Sequence, residues 1–216
     1  EERILYDTYD VVPEIKLVYA LKPDKPANFD PYTGQLLDDS GNPYKEEAVS
    51  YTDIGTITGK EKIIALAEYG IALDGPQFRP YDFIKQKDYL YLIYKALQDY
   101  WGGPQPLTDE ETDYMYKSLE RMGIVKAGEK SPEVPITREE AAKFAVRMIG
   151  LERAAEIKGI YKLNFKDADK ISPELEGYVA IANGVGLLKD YGEIIDPKGF
   201  LNRLEAVITI YDYLVK

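Results

Sequence analysis

The sequence contains neither cysteine nor histidine among its 216 residues. Without cysteine the chain can form no disulfide framework and no thiolate metal site. Without histidine it lacks the usual general base near neutral pH, which excludes Ser–His and Cys–His nucleophiles and most zinc sites. A carboxylate pair or a Ser–Lys pair remains allowed, but no motif favours either. The residues alone therefore do not exclude an enzyme, and they point to no cofactor or metal.

The chain is also poor in positive charge and in long apolar runs. It carries 27 Lys and Arg against 38 Asp and Glu, a net charge of −11, which disfavours nucleic acid as a partner. No apolar run approaches the roughly 20 residues of a membrane-spanning helix, so we expect no membrane span. The first residues, Glu1-Glu2-Arg3, include no initiator Met, basic region or apolar signal. This opening predicts a mature fragment of a longer chain with further domains.

Residues 1–50 differ in pattern from the remainder. Alternation over residues 15–21 predicts a strand, residues 30–34 have the Pro and Gly of a β-turn, and residues 35–37 suit a short return strand. We predict a small β-hairpin that leans on the helical part or ends a preceding domain, because two strands alone are marginally stable. Residues 28–37 resemble the strand–turn–strand ending of PepSY-type propeptide domains.

From about residue 50 the pattern becomes helical and repeats. Three helical stretches each end on a glycine followed by an apolar residue, and the glycines are 53 and 63 residues apart: Gly70, Gly123 and Gly186. A glycine in this place is typical of a helix end in the left-handed conformation. An additional interpretation is that the missing side chain lets a sugar approach the backbone.

A second amphipathic helix is predicted shortly after each glycine, starting near Ile84, Ile136 and Leu201. Each unit is then helix, loop, helix, and no unit can cover its own apolar stripe alone, so three must pack together. The sequence predicts a mainly α fold with three units: residues 51–104, 105–163 and 164–216.

The motifs of these units resemble those of the S-layer homology family. The third unit opens with Asn164-Phe165-Lys166-Asp167-Ala168, and the second helix of the second unit starts with Ile136-Thr137-Arg138-Glu139-Glu140. The first unit keeps Tyr51-Thr52-Asp53-Ile54 but has Gln86 where the family has Arg. With the glycine steps, the resemblance covers residues 51–216 in three copies.

The resemblance implies a fold, a function and a location. The fold is a pseudo-threefold helical bundle whose grooves between repeats bind pyruvylated secondary cell-wall polysaccharide, a glycan linked to peptidoglycan, without catalysis. The function is non-covalent anchoring of a secreted bacterial protein at the extracellular cell surface, in the S-layer. The alternative is a degenerate scaffold or protein-interaction module that has lost glycan binding.

Candidate glycan-binding residues lie at the starts of the second helices. Thr137 and Asn202 are predicted to begin capping boxes, which are structural motifs. Arg138 and Arg203 follow them, where a cation opposes the helix dipole but offers a fork to a carboxylate such as a pyruvate ketal. The alternative for both arginines is a salt bridge to one of the many acids.

Two aspartates complete the candidate set. Asp53 and Asp167 each open a unit, where an aspartate caps a helix or braces a loop, and the family resemblance makes both candidates for holding the ligand groove. Binding is expected to be unequal among the three grooves, because Gln86 cannot make the charged bidentate contact that an arginine makes.

Overall fold

The computed structural model describes residues 50–97, 108–188 and 192–214. These residues are mainly helical, with isolated β-bridges between loops, which confirms the predicted mainly α class. The hairpin predicted in residues 1–50 lies outside the described residues. The helices are α1 Lys60–Glu68, α2 Gln86–Leu97, α3 Asp109–Arg121, α4 Arg138–Met148, α5 Glu152–Ala155, α6 Glu176–Gly184 and α7 Arg203–Leu214, with a 3-10 turn at Ala168–Lys170.

The three repeated glycines follow helices α1, α3 and α6, as predicted. Gly70, Gly123 and Gly186 have φ angles of 72°, 75° and 75°, a region in which other residues are strained. The same hydrogen bond ends each helix: the residue after the glycine donates its N–H to the carbonyl of the residue five positions earlier. Ile71 donates to Leu66 at 2.9 Å, and the other two ends repeat this bond.

Capping boxes begin α4 and α7, also as predicted. Thr137 Oγ1 accepts from the N–H of Glu140 at 3.4 Å, and Glu140 Oε2 accepts from the N–H of Thr137 at 3.0 Å. At the start of α7, Asn202 Oδ1 and Glu205 Oε2 each accept from the other residue's N–H at 2.8 Å. These bonds satisfy helix N–H groups that have no partner within the helix.

The packing of the helices is cyclic. The first helix of each unit packs against the second helix of the preceding unit: α3 on α2, and α6 on α4. Helix α1 packs on α7, which closes the ring between the first and last described helices. Helix α2 also contacts α4 and α7, and its sequence is apolar nearly all round, as expected of a buried helix.

No helix among residues 50–97, 108–188 and 192–214 combines the length and apolar content that crossing a membrane requires.

Candidate functional site

Three loop segments that lead into α2, α4 and α7 meet at one place. We call them the junction segments, and they are residues 80–87, 132–139 and 197–204. Ile84 N–H donates to the carbonyl of Leu201 at 2.9 Å, Leu201 N–H to that of Ile136 at 2.9 Å, and Ile136 N–H to that of Ile84 at 3.1 Å. These bonds form a closed ring of three, so each junction segment contacts both of the others.

A proline in each junction segment completes the start of a helix in another unit. The carbonyl of Pro132 accepts from the N–H of Lys87 at 3.2 Å. Pro197 accepts from Glu139 in the same way, and Pro80 from Leu204. Because the first N–H groups of a helix lack intrahelical partners, each unit depends on its neighbour to satisfy them. Sequence reasoning missed these prolines, although their spacing matches that of the ring residues Ile84, Ile136 and Leu201.

Arg138, the first residue of α4, is used in two ion pairs. Its Nη2 lies 3.0 Å from Glu205 Oε1 and its Nη1 lies 3.1 Å from Asp196 Oδ2. The Arg138 side chain is 17% exposed, whereas that of Asp196 is 63% exposed. Arg138 therefore links the start of α4 to the start of α7 and to the surface. Of its two partners, Asp196 is the one that solvent reaches freely.

Arg203 is the equivalent residue at the start of α7, and its side chain is more deeply buried than that of Arg138. Its side chain is 4% exposed, its Nε donates to the carbonyl of Phe78 at 2.6 Å, and its guanidinium lies over the Phe78 ring. Nη1 is 3.8 Å from Asp74 Oδ1, and Nη2 has no hydrogen-bond acceptor in the described part of the chain. Burial, together with the positive charge of Arg79, lowers the pKa of Arg203. This guanidinium therefore keeps one donor group unsatisfied beside an exposed carboxylate.

The acidic residues at the position equivalent to Glu205 differ in length by one methylene. The position that Glu205 occupies in α7 is occupied in α2 by Asp88, which is shorter. Asp88 forms no ion pair with Arg203 among the described contacts, although the two interact electrostatically. Burial raises the pKa of Asp88, and the nearby Arg203 opposes that increase.

Gln86 is the third equivalent residue, and both polar atoms of its amide have hydrogen-bond partners. Nε2 donates to the carbonyl of Glu129 at 2.9 Å, while Oε1 accepts from Ser131 N–H and from Tyr116 Oη, both at 2.7 Å. A neutral amide serves this junction because its partners include both donors and an acceptor. The absence of arginine in the first unit thus has a structural reason.

Asp53 and Asp167 brace the loops before the junction segments. Asp53 accepts from the backbone N–H of Arg79 at 2.7 Å, Asp167 from that of Asp196 at 2.8 Å, and each accepts a second bond from the residue before. Arg79 and Asp196 have φ angles of 52° and 49°, a left-handed conformation that strains a residue with a side chain. This is the loop-bracing role considered from the sequence. Burial raises the pKa of Asp53, but the backbone N–H groups of Arg79 and Phe78 outweigh it and lower the pKa overall.

A groove of about 740 Å³ lies between α4, α5 and the start of α6. Arg147 lies in its wall, with Nη1 2.5 Å from Glu129 Oε2 and Nε 2.8 Å from Glu152 Oε1. Lys143 Nζ lies 2.9 Å from Glu129 Oε1, and the Arg147 guanidinium lies over the ring of Tyr178. This charged network was not singled out from the sequence, because its residues are 5 to 18 positions apart and no local pattern joins them.

No protein-family model matches the chain, and no curated protein matches it in sequence.

Of the candidate residues, the structure brings Arg138 and Arg203 to the helix starts at the ring, with Thr137 and Asn202 just before them as caps. The structure places Asp53 and Asp167 in the loops that lead to the junction segments, and the three glycines at helix ends.

Proposed function

We propose that residues 51–216 hold a secreted bacterial protein at the cell surface by binding an anionic, pyruvylated secondary cell-wall polysaccharide. The unit is a non-enzymatic anchor of three S-layer-homology-type repeats around a pseudo-threefold axis. The cyclic packing of the helices and the ring of junction segments support this arrangement. Further domains of the same longer chain would be the anchored partners.

One observation carries the binding proposal: Arg203 is buried with Nη2 unsatisfied. A buried donor without an acceptor is unfavourable by about 1–3 kcal/mol, and a carboxylate is the group that a guanidinium fork binds best. The carboxylate of a pyruvate ketal would supply the missing acceptor. It would approach past Asp74, which is half-exposed beside Nη1.

Arg138 supplies a second, weaker site. Its partner Asp196 is largely exposed, and exposed ion pairs contribute at most about 1 kcal/mol to stability. A ligand carboxylate can therefore replace Asp196 at little cost while Glu205 keeps the guanidinium in place. Gln86 carries no charge, so the first unit contributes no such charge-assisted site.

Calorimetric titration with a pyruvylated wall-polysaccharide fragment tests this proposal. Arg203→Lys keeps the charge but loses the fork, and we expect it to weaken binding about ten-fold to a hundred-fold. Arg138→Ala should weaken binding less. Arg153→Ala, an exposed arginine on α5, is the matched control and should leave the affinity unchanged. Circular dichroism confirms that each variant is folded. Equal affinities for all three variants would show that the arginines are structural.

A second function is favoured by the bonds that the candidate residues already make. Both carboxylate oxygens of Asp53 and of Asp167 accept backbone hydrogen bonds, and Arg138 forms two ion pairs, as expected of a scaffold that has lost glycan binding. Sedimentation with wall sacculi, before and after extraction of the secondary polymer, separates the two functions. A scaffold would remain in the supernatant in both cases.

A further inference from the structure

At each contact between junction segments, two side chains face each other, and their charges differ from one contact to the next. The helix residue whose N–H donates to a junction proline is Lys87 in the first unit, Glu139 in the second and Leu204 in the third. The residue that follows the accepting proline is Glu133, Lys198 or Tyr81, respectively. The three contacts are thus Lys with Glu, Glu with Lys, and an uncharged pair.

The two charged pairs are formed in the structure. Lys87 Nζ lies 2.6 Å from Glu133 Oε1, and Lys198 Nζ lies 2.5 Å from Glu139 Oε1. The sign of the charge on the helix residue is therefore opposite in the first and second units. The backbone bonds of the ring involve no side chains, so they do not distinguish one unit from another.

Glu139 is the most deeply buried of the four charged residues in these pairs. Its side chain is 6% exposed, and its carboxylate also accepts from Ser172 N–H at 3.0 Å and Ser172 Oγ at 2.8 Å. A buried carboxylate is stable only where its surroundings provide a cation and hydrogen-bond donors. Ser172 and Lys198 of the third unit provide both.

Wrong contacts between the units would place like charges together. If the first unit closed on the third, Lys87 would face Lys198, and Glu139 would face Tyr81 without a cation. If the second unit closed on a second copy of itself, Glu139 would face Glu133. Such contacts are disfavoured by repulsion and by an unpaired buried charge.

We infer that the pairs Lys87–Glu133 and Glu139–Lys198 fix the order in which the three units close, first on second and second on third. They disfavour the opposite order and the self-association of the second unit. This role concerns assembly of the fold and is independent of glycan binding.

A charge exchange tests the inference in the full chain. Lys87→Glu with Glu133→Lys keeps opposite charges at the correct contact. The same exchange turns the wrong contacts into attractive ones, because the carboxylate at position 87 suits Lys198 and the ammonium at position 133 suits Glu139. The exchange thus removes the repulsion at positions 87 and 133 in the wrong contacts, while Glu139 facing Tyr81 stays unpaired in the opposite order. Asp113→Lys with Lys130→Asp exchanges an exposed ion pair elsewhere and is the matched control.

A disulfide reports the correct contact. Lys85 and Pro135 form an antiparallel bridge at the kind of close pair that suits a disulfide, and the chain has no other cysteine. Lys85→Cys with Pro135→Cys is introduced into the parent, the exchanged variant and the control. It removes the ion pair of Lys85 with Glu133 from the parent and the control, and in the exchanged variant it removes the repulsion between Lys85 and the new lysine at position 133.

Each protein is refolded from denaturant at low ionic strength under oxidising conditions, and the crosslinked monomer is measured. We expect the parent and the control to give mainly crosslinked monomer, and the exchanged variant to give about two-fold less, with oligomers and uncrosslinked chains in its place. Equal yields for the parent and the exchanged variant would overturn the inference. So would a lower melting temperature of the crosslinked exchanged monomer, since the loss would then come from a weaker native contact.

Discussion

Arg138 and Glu205 form an ion pair with 3.0 Å between Nη2 and Oε1, whereas the equivalent pair, Arg203 and Asp88, stays open. Glu205 also closes the capping box of its own helix, so one carboxylate connects two units and begins α7. The open pair leaves a buried guanidinium group available. The two carboxylates, of Glu205 and Asp88, differ in length by one methylene.

Lengthening Asp88 should close this contact. We expect Asp88→Glu to stabilise the protein by about 1 kcal/mol, because the longer carboxylate satisfies Arg203 Nη2. The same variant should bind the polysaccharide more weakly, since its own carboxylate competes for the guanidinium. Urea unfolding and calorimetric titration measure the two effects. Glu205→Asp is the converse change and should destabilise the protein.

Gly199 should be intolerant of a side chain. A Cβ at this position would lie 2.5 Å from Arg138 Nη1 and closer still to Asp196 Oδ2. Gly199→Ala should therefore disrupt the Arg138–Asp196 pair and destabilise the fold by about 1–3 kcal/mol. Gly184→Ala is the matched control, because nothing lies within 4 Å of its added Cβ in α6. It should stabilise by about 0.5–1 kcal/mol. Equal effects in urea unfolding would contradict this steric explanation.

Asp167 should matter more for stability than Asp53. Asp167 is buried, and removing its carboxylate leaves the N–H groups of Ile195 and Asp196 without acceptors. Asp167→Ala should destabilise by about 2–4 kcal/mol. Asp53→Ala removes two equivalent bonds nearer to solvent, where water can replace them, so it should have a smaller effect. Thermal unfolding of both variants checks the ranking, and Asp167→Asn, which keeps one acceptor, should fall between.

Glu129 should contribute stability that is lost in acid. Burial raises the pKa of Glu129, but hydrogen bonds from Arg147 and Lys143 outweigh it and lower the pKa from 4.5 to about 2. Because the pKa is lower in the folded state, the contribution is fully present above about pH 4.5 and disappears as the pH falls towards 2. Glu129→Gln should be less stable than the parent by about 1–3 kcal/mol at pH 7.

The difference between Glu129→Gln and the parent should narrow steadily between pH 4.5 and pH 2. Urea unfolding across this range measures it. Lys143→Met, which removes one cation but leaves Arg147, should give a smaller change of the same sign. A difference that stays constant with pH would show that Glu129 acts through packing and not through its charge.

The helices and their ends were predictable because their signals are local. Gly70, Gly123 and Gly186 end helices through their own backbone conformation, and Thr137 reaches only to Glu140 in the same turn. The sequence predicted that the three units pack together, because no unit covers its own apolar stripe. It did not predict which helices meet. The short α5 and the 3-10 turn were not predicted, since neither carries an apolar period long enough to detect.

The sequence by itself indicated the six long helical segments, the glycines that end the first helix of each unit and the approximate starts of the second, and that three units share a pattern. The tertiary structure decided what each equivalent residue contacts. Gln86, Arg138 and Arg203 occupy one position in the pattern, yet one is a hydrogen-bonded neutral amide, one an ion-paired cation and one a buried guanidinium. Their partners lie in other units, 43 residues away for Gln86 and 125 for Arg203. A local pattern does not record which distant residues meet when a ring closes, because that depends on the packing of all three units.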